Sequence, residues 1–160
     1  MSQEITLKLA RFADAQSIAL LSRDLIEVGL GWRWNAVRVA AQIQCPDTSV
    51  VVAYCHSKEH QKQLIGFAIM HFGQDVAHLL LLAVHPAWQR LGVGRRLIDW
   101  LEKSARVAGI SRIMLEVRNK NTAAQAFYQA LGYRSVKLLP RYYNGHEAAL
   151  CMAHDLRVAL

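Results

Sequence analysis

The sequence predicts an α/β fold of seven strands and four helices in the order β-α-α-β-β-β-α-β-α-β-β. Three observations carry that expectation. Short apolar or alternating runs recur along the chain, bounded by glycine, proline and Asn-Gly punctuation, as strands are. Between them lie stretches with apolar residues at spacings of three and four, opened by Asp14, Asn35, Gly92 and Asn121. One segment, residues 76–118, joins a buried-type strand through a glycine-marked turn to a helix and then to another strand. That pattern makes the two strands parallel neighbours.

In order, residues 4–11 alternate Ile5, Leu7 and Leu9 against Thr6 and Lys8, a half-buried strand. Asp14 is placed to cap a helix whose stripe is Ile18, Leu21, Leu25 and Val28, with Gly29 ending it. Gly-Leu-Gly-Trp-Arg-Trp follows as a loop, and Trp32 and Trp34 either close the rim of the core or wall a substrate. Asn35 caps a short helix that Pro46 stops. Residues 48–56 and 64–72 are strands joined by the polar turn 57–62, and 73–75 turn the chain into the strand 76–84. These three sequential strands form an antiparallel meander.

Residues 76–84 are too few to span a bilayer and too apolar for a strand wet on one face. His85-Pro86 ends the run. From Gly92 the spacing of Leu97, Leu101, Ala105 and Ala108 is helical, and Gly109 suits the C′ position. A strand that feeds Gly92-Val93-Gly94 into a helix start offers free N–H groups and a positive dipole end to an anion, with Gln89, Arg90, Arg95 and Arg96 around it. Taken alone, the two glycines are equally explained by a tight turn.

Residues 111–118 form the next strand, with Ile113, Leu115 and Val117 on one face and Met114, Glu116 and Arg118 on the other. Glu116 thus falls near a strand C-terminus beside the end of the central strand, where α/β sheets collect ligands. It is either a general base or an ordinary ion-pair partner of Arg118 or of a helix. Asn121 caps a helix to Leu131 with the stripe Ala124, Phe127 and Leu131. Tyr128, almost two turns after Asn121, projects to nearly the same side; it is a general acid or core packing. Residues 133–139 are a strand, 140–145 its turn with the Asn-Gly hairpin signal, and 146–156 the last strand.

Composition narrows the classes. With 160 residues, 53% of them hydrophobic, and three prolines, the chain has the material for one core, read as one domain over 1–160. Three cysteines without CxxC spacing suggest reduced thiols, and no metal site is expected. The charged start MSQEITLKLAR has no apolar core of a leader, so a cytoplasmic protein without membrane contact is expected. Net charge of +7 favours anionic partners, but it is dispersed, which makes nucleic acid an unfavoured one. A homodimer is left open. A dinucleotide fold is excluded because Leu97 stands where GxGxxG needs its third glycine, and a P-loop because no GK[ST] follows.

Gln89-Arg90-Leu91-Gly92-Val93-Gly94 resembles the Arg/Gln-x-x-Gly-x-Gly/Ala signature of the GNAT superfamily of acetyl-CoA-dependent N-acetyltransferases. The element order agrees throughout. LEVRNKNTAAQAFYQALGY and PRYYNGHEAALCM are similar, more narrowly, to bacterial enzymes that acetylate the N-terminal alanine of a ribosomal protein. The resemblance implies a mixed, mostly antiparallel seven-stranded sheet with helices on both faces, and acetyl-CoA as cosubstrate. It assigns Leu82, Ala83 and Val84 to the pantetheine arm and Arg90, Leu91, Gly92, Val93, Gly94 and Arg95 to the pyrophosphate. Asn121 also contacts the cofactor in this assignment. Glu116 matches the proposed base and Tyr128 the proposed acid, while Trp32, Tyr142 and Tyr143 match residues of the acceptor site. The acceptor it implies is a protein N-terminus. A small amine, or a non-catalytic acyl-CoA-binding role, is the alternative.

Overall fold

The computed structural model describes residues 4–57 and 61–157, so part of the predicted turn 57–62 and the first three residues lie outside the described residues. Seven strands form one sheet: β1 (Glu4–Leu9), β2 (Thr48–His56), β3 (Lys62–Phe72), β4 (Val76–Val84), β5 (Arg112–Arg118), β6 (Arg134–Tyr143) and β7 (Glu147–Asp155). The helices are α1 (Ala15–Leu25), α2 (Ala36–Gln44), α3 (Val93–Val107) and α4 (Thr122–Ala130). The spatial strand order is β1-β2-β3-β4-β5-β7-β6. Every pairing is antiparallel except β4 with β5. The predicted order and mixed sheet therefore hold.

Two cores lie on opposite faces of the sheet. On one, Leu97, Ile98, Leu101 and Ala105 of α3 pack with Tyr128 of α4 over Ile65, Ala68, Met70, Ile113 and Leu115. On the other, Ile18 and Ala19 of α1 and Val39 of α2 pack over Val50, Val52, Phe67 and Ile69. Alternation along each strand supplies both layers, which is why β2 to β4 read as nearly continuous apolar runs.

The β4–β5 ladder is short. It runs from Val76 opposite Arg112 to Leu79 opposite Leu115 and stops. Beyond it β5 stays with β7, pairing Glu116 with Cys151 and Arg118 with Ala149, while β4 stays with β3. The register of β3 against β4 slips at the same level: Met70 faces Leu79 and Ile69 faces Leu81. Leu80 is the extra residue, and both Leu80 and Leu81 pack toward the α1–α2 core. A bulge of this kind bends its strand, and here it sits where β4 leaves β5.

Several boundaries differ from the sequence reading. Helix α1 stops at Leu25 rather than near Gly29, leaving Val28 exposed. The Asp14 carboxylate does not cap it; it accepts from the Arg11 N–H and the Tyr54 hydroxyl. Ala108 falls outside the buried stripe of α3, which includes Val93 and Ile98 instead. On α4, Tyr128 is the buried residue, and Ala124, Phe127 and Leu131 are only partly covered. Strand β6 continues through Pro140 to Tyr143, where the sequence suggested a turn. Proline is tolerated there because β6 is an edge strand with a register shift between Leu139 and Tyr143. The turn proper has positive φ at Asn144 and Gly145, the primed geometry that suits a hairpin.

Candidate active site

Where β4 and β5 part, a cleft of about 430 Å³ opens through the sheet. Leu79 to Leu82 of β4 form one wall, and Leu115 to Arg118 of β5 the other. Asn121, Ala124 and Tyr128 enter from α4, Leu25, Ile26 and Leu30 from the end of α1 and its loop, and Tyr143 from β6. Glu116 is the only carboxylate lining it, among the described residues.

Glu116 stands at the first β5 position beyond the shared ladder, on the face away from α3 and α4. Its Oε2 contacts Nε2 of His78 on β4, not Arg118. Arg118 instead joins Glu147, which also holds Lys120 at 2.8 Å. The phenols of Tyr142 and Tyr143 stand close enough to feel the Glu116 charge. Burial raises both, and Tyr143 is pushed up to about 12 by burial, Tyr142 and Glu116. Burial, then Glu116, also raises the Cys151 thiol. The three cysteines are free.

Tyr128 reaches the cleft from the opposite face. Its ring packs edge-on against Phe127 and Tyr133, with centroids 5.1 and 5.6 Å away. Burial, and secondarily Tyr143, drives its hydroxyl well above the ordinary phenol value, so it remains a hydrogen-bond donor at any working pH. Asn121 caps α4, accepting from the Ala124 N–H at 3.1 Å, and lies on the same cleft wall as Tyr128.

Helix α3 begins beside the end of β4. Gly92 has φ +82° and carries no capping side chain, and the first helical bond is Arg96 N–H to the Gly92 carbonyl at 3.0 Å. The N–H groups of Val93, Gly94 and Arg95 are thus left for an outside acceptor. A Cβ at Gly94 would sit 3.1 Å from Cζ of Phe127, so glycine lets α3 and α4 approach closely. Arg90, Leu91 and Arg95 are exposed around this turn, whereas Val93 is buried in the core beneath it. A phosphate group fits this turn. Beyond Leu79, β4 has backbone groups toward β5 that no strand pairs, which fits an amide-bearing chain laid alongside. Leu82 lines the cleft and Val84 is half-buried at its end, but Ala83 points into the α1–α2 core. No group of three His, Cys, Asp or Glu is disposed to hold a metal among the described residues.

Trp32 is not among the residues that line the cleft. Its indole N–H donates to the carbonyls of Ala19 and Trp34, both at 3.1 Å, and its ring lies under Arg23 rather than in the cleft. Trp34 joins the core. Tyr143 lines the cleft; Tyr142 packs edge-on against it at 4.9 Å and is half-exposed outside. Sequence reasoning missed Glu27, a buried carboxylate that accepts from the Ser22 hydroxyl and from the N–H groups of Arg33 and Trp34. These three bonds fold residues 27–34 back over the end of α1 and bring Leu30 to the cleft. An isolated acid five residues after a serine carries no signal of that kind.

The model of the "Acetyltransferase (GNAT) family" matches residues 19–133. The chain is 38% identical over 94 residues to the ribosomal protein bS18-alanine N-acetyltransferase of Salmonella typhimurium. That match covers 57% of this chain and 64% of the relative, less than two thirds of its length. It is 36% identical over 91 residues to an uncharacterized N-acetyltransferase of Methanocaldococcus jannaschii, covering 56% of this chain and 58% of that one. Among solved structures it is similar to the ribosomal-protein-S18-alanine N-acetyltransferase of Escherichia coli, with a TM-score of 0.77 and 26% identity over 98% of this chain and 97% of that one. With the split sheet, the open start of α3 and a family match over most of its length, the chain belongs to the acetyltransferase (GNAT) family.

Proposed function

We propose that the protein moves the acetyl group of acetyl-CoA to the N-terminal α-amine of a protein, of the ribosomal-protein alanine type. The observation that carries this is the composition of the cleft: a single carboxylate, Glu116, in an otherwise apolar acceptor side formed by Leu25, Ile26, Leu30 and Tyr143. Arg118 and Lys120 also line it, two cations that share the Glu147 carboxylate, so this end of the cleft holds no surplus negative charge for additional ammonium groups. A polyamine needs carboxylates for its other ammonium groups; a peptide with a small first residue has one amine and an extended backbone.

The energetics agree. An α-amine with a pKa of about 7.7–8.0 is roughly one tenth neutral at pH 7, whereas a lysine near 10.4 is neutral in about one molecule in 2,500. One carboxylate is enough to deprotonate the former. Glu116 takes the ammonium proton, directly or through water, and the nitrogen attacks the thioester carbonyl carbon. The C–S bond breaks as the amide forms, and the second nitrogen proton ends on sulfur. Tyr128 donates a hydrogen bond to that sulfur as its charge builds. Because its hydroxyl is held above the ordinary phenol value, it acts as a donor throughout the cycle and stays protonated. The α3 N–H groups with Arg90 and Arg95 hold the cofactor phosphates.

The test is mass spectrometry of a short peptide beginning with alanine, and of spermidine, each incubated with the protein and acetyl-CoA. Acetylation at the peptide α-amine is expected, with the polyamine at least tenfold poorer in kcat/KM. A polyamine that outperforms the peptide overturns the acceptor assignment.

A further inference from the structure

Acetylation of an ammonium releases one proton to solvent in each turnover: R–NH₃⁺ plus acetyl-CoA gives the amide, CoA–SH and H⁺. That proton first rests on Glu116, whose side chain is only 17% exposed at the bottom of the cleft. A bound acceptor covers it further. The groups beside it are poor recipients, because Tyr142, Tyr143 and Cys151 are each pushed toward their protonated forms by burial and by the Glu116 charge.

A different neighbour is in contact. Nε2 of His78 touches Oε2 of Glu116, and the His78 side chain is 39% exposed. Its antiparallel partner on β3 is His71, also exposed, whose Nδ1 lies 3.4 Å from the Thr48 hydroxyl on β2. Glu116, His78 and His71 therefore stand on one face of the sheet, on β5, β4 and β3, with exposure increasing from Glu116 to His78. An imidazole ring can take a proton at one nitrogen and release one from the other.

We propose that His78 is a positioning and relay residue for Glu116, orienting the carboxylate and carrying its proton out of the cleft; this rests on the acetyltransferase reading above. In the tautomer with hydrogen on Nδ1, the bare Nε2 accepts the proton from Oε2, leaving carboxylate and imidazolium; the imidazolium loses its Nδ1 proton to water, and exchange with water then returns the ring to the Nδ1–H tautomer. No further reactant is needed. His78 touches neither sulfur nor carbonyl carbon in this scheme; it acts through Glu116.

The test compares the full chain with His78→Ala and His78→Gln in steady-state acetylation of the alanine peptide, with and without added imidazole. Both variants are expected to lose at least tenfold in kcat, with KM for peptide and acetyl-CoA within twofold of the original. Imidazole should raise kcat of His78→Ala several-fold in proportion to its concentration and leave the original protein unaffected. A merely structural role for His78 gives no such rescue. Unchanged kcat in the variants, or a loss that imidazole does not relieve in His78→Ala, overturns the relay while leaving the acetyltransferase reading intact. If the alanine variant does not fold, His78→Gln decides alone: it keeps an amide against the carboxylate but cannot ferry a proton, so wild-type kcat overturns the proposal. An original protein that acetylates no amine overturns both readings together.

Discussion

Asn144 donates from Nδ2 to the Leu30 carbonyl at 2.8 Å, pinning the turn between β6 and β7 to the loop after α1. Nη2 of Arg33 closes the link from the other side, donating to Oδ1 of Asn144 at 3.0 Å. Two segments more than a hundred residues apart in sequence thus meet at Leu30, which lines the cleft. Asn144→Ala removes both bonds. The expected result is a three- to tenfold rise in KM for the peptide, with kcat and the KM for acetyl-CoA within twofold. Steady-state kinetics with each substrate varied in turn checks it, and an unchanged peptide KM would make the link irrelevant to binding.

The proposed cofactor turn is best probed at Gly92. A side chain there meets nothing within 4 Å, and its cost at φ +82° is about 1–2 kcal/mol, which the fold should survive. Gly92→Asp sets a negative charge where the α3 N–H groups await an anion. Acetyl-CoA affinity measured by calorimetry should fall at least tenfold. Gly94→Ala is a different experiment, since its methyl presses on the Phe127 ring and reports α3–α4 packing as well.

Tyr128→Phe keeps the ring between Phe127 and Tyr133 and deletes only the hydroxyl. Turnover should drop on the order of 10²-fold, the usual range for a lost acid or donor, with acetyl-CoA affinity unaltered. Single-turnover measurement isolates the chemical step. Near-normal turnover would reduce Tyr128 to packing.

Burial of the phenols also sets an alkaline limit. Tyr143 is raised from 10.0 to about 12, and Tyr128 and Tyr133 are raised further by burial. For a group whose folded pKa is raised, its stabilising contribution is complete below the unfolded value and is lost as pH climbs through the folded one. The melting temperature should therefore be insensitive to these tyrosines up to about pH 10 and decline above it. Phenolate absorbance should show these three of the five tyrosines ionising only above pH 11 or on unfolding. Early titration of all five would contradict the described burial.

Glu27→Ala leaves the N–H groups of Arg33 and Trp34 without their acceptor. Hydrogen bonds to a charged group are worth roughly 1.5–3 kcal/mol each, but the chain can relax toward water. A net loss of about 2–4 kcal/mol by denaturant titration is expected, along with weaker peptide binding because Leu30 is released. A change below 0.5 kcal/mol would mean that the loop is held by other contacts.

Element order was legible because each strand and helix has its own local signature: apolar runs, helical spacing, and glycine, proline or Asn-Gly at the ends. Glu116, Asn121 and Tyr128 could be brought toward one another because parity on β5 and the helical repeat on α4 are periodic rules. His78 was not, since a lone histidine in an apolar strand finds its partner 38 residues away, across a ladder that sequence does not register. Trp32 could not be placed for a related reason. A tryptophan between glycines looks free to wall a site, but two backbone carbonyls hold its N–H elsewhere. Pro140 is tolerated within β6 because β6 is the edge of the sheet, a position that no local sequence signal marks.

The parting of β4 from β5 after Leu79 and Leu115 has a consequence for solubility as well as for chemistry. Unpaired backbone groups along a strand normally invite another molecule to add itself, and proteins guard such rims with charge or bulges. Here the exposed row lies inside the sheet, between strands that are joined at one end and covered by Leu25, Ile26 and Leu30 on one side and by α4 on the other. A β-strand from a neighbouring molecule finds no open rim along this row. A backbone surface that would provoke aggregation at the perimeter is thus kept in the interior of the sheet.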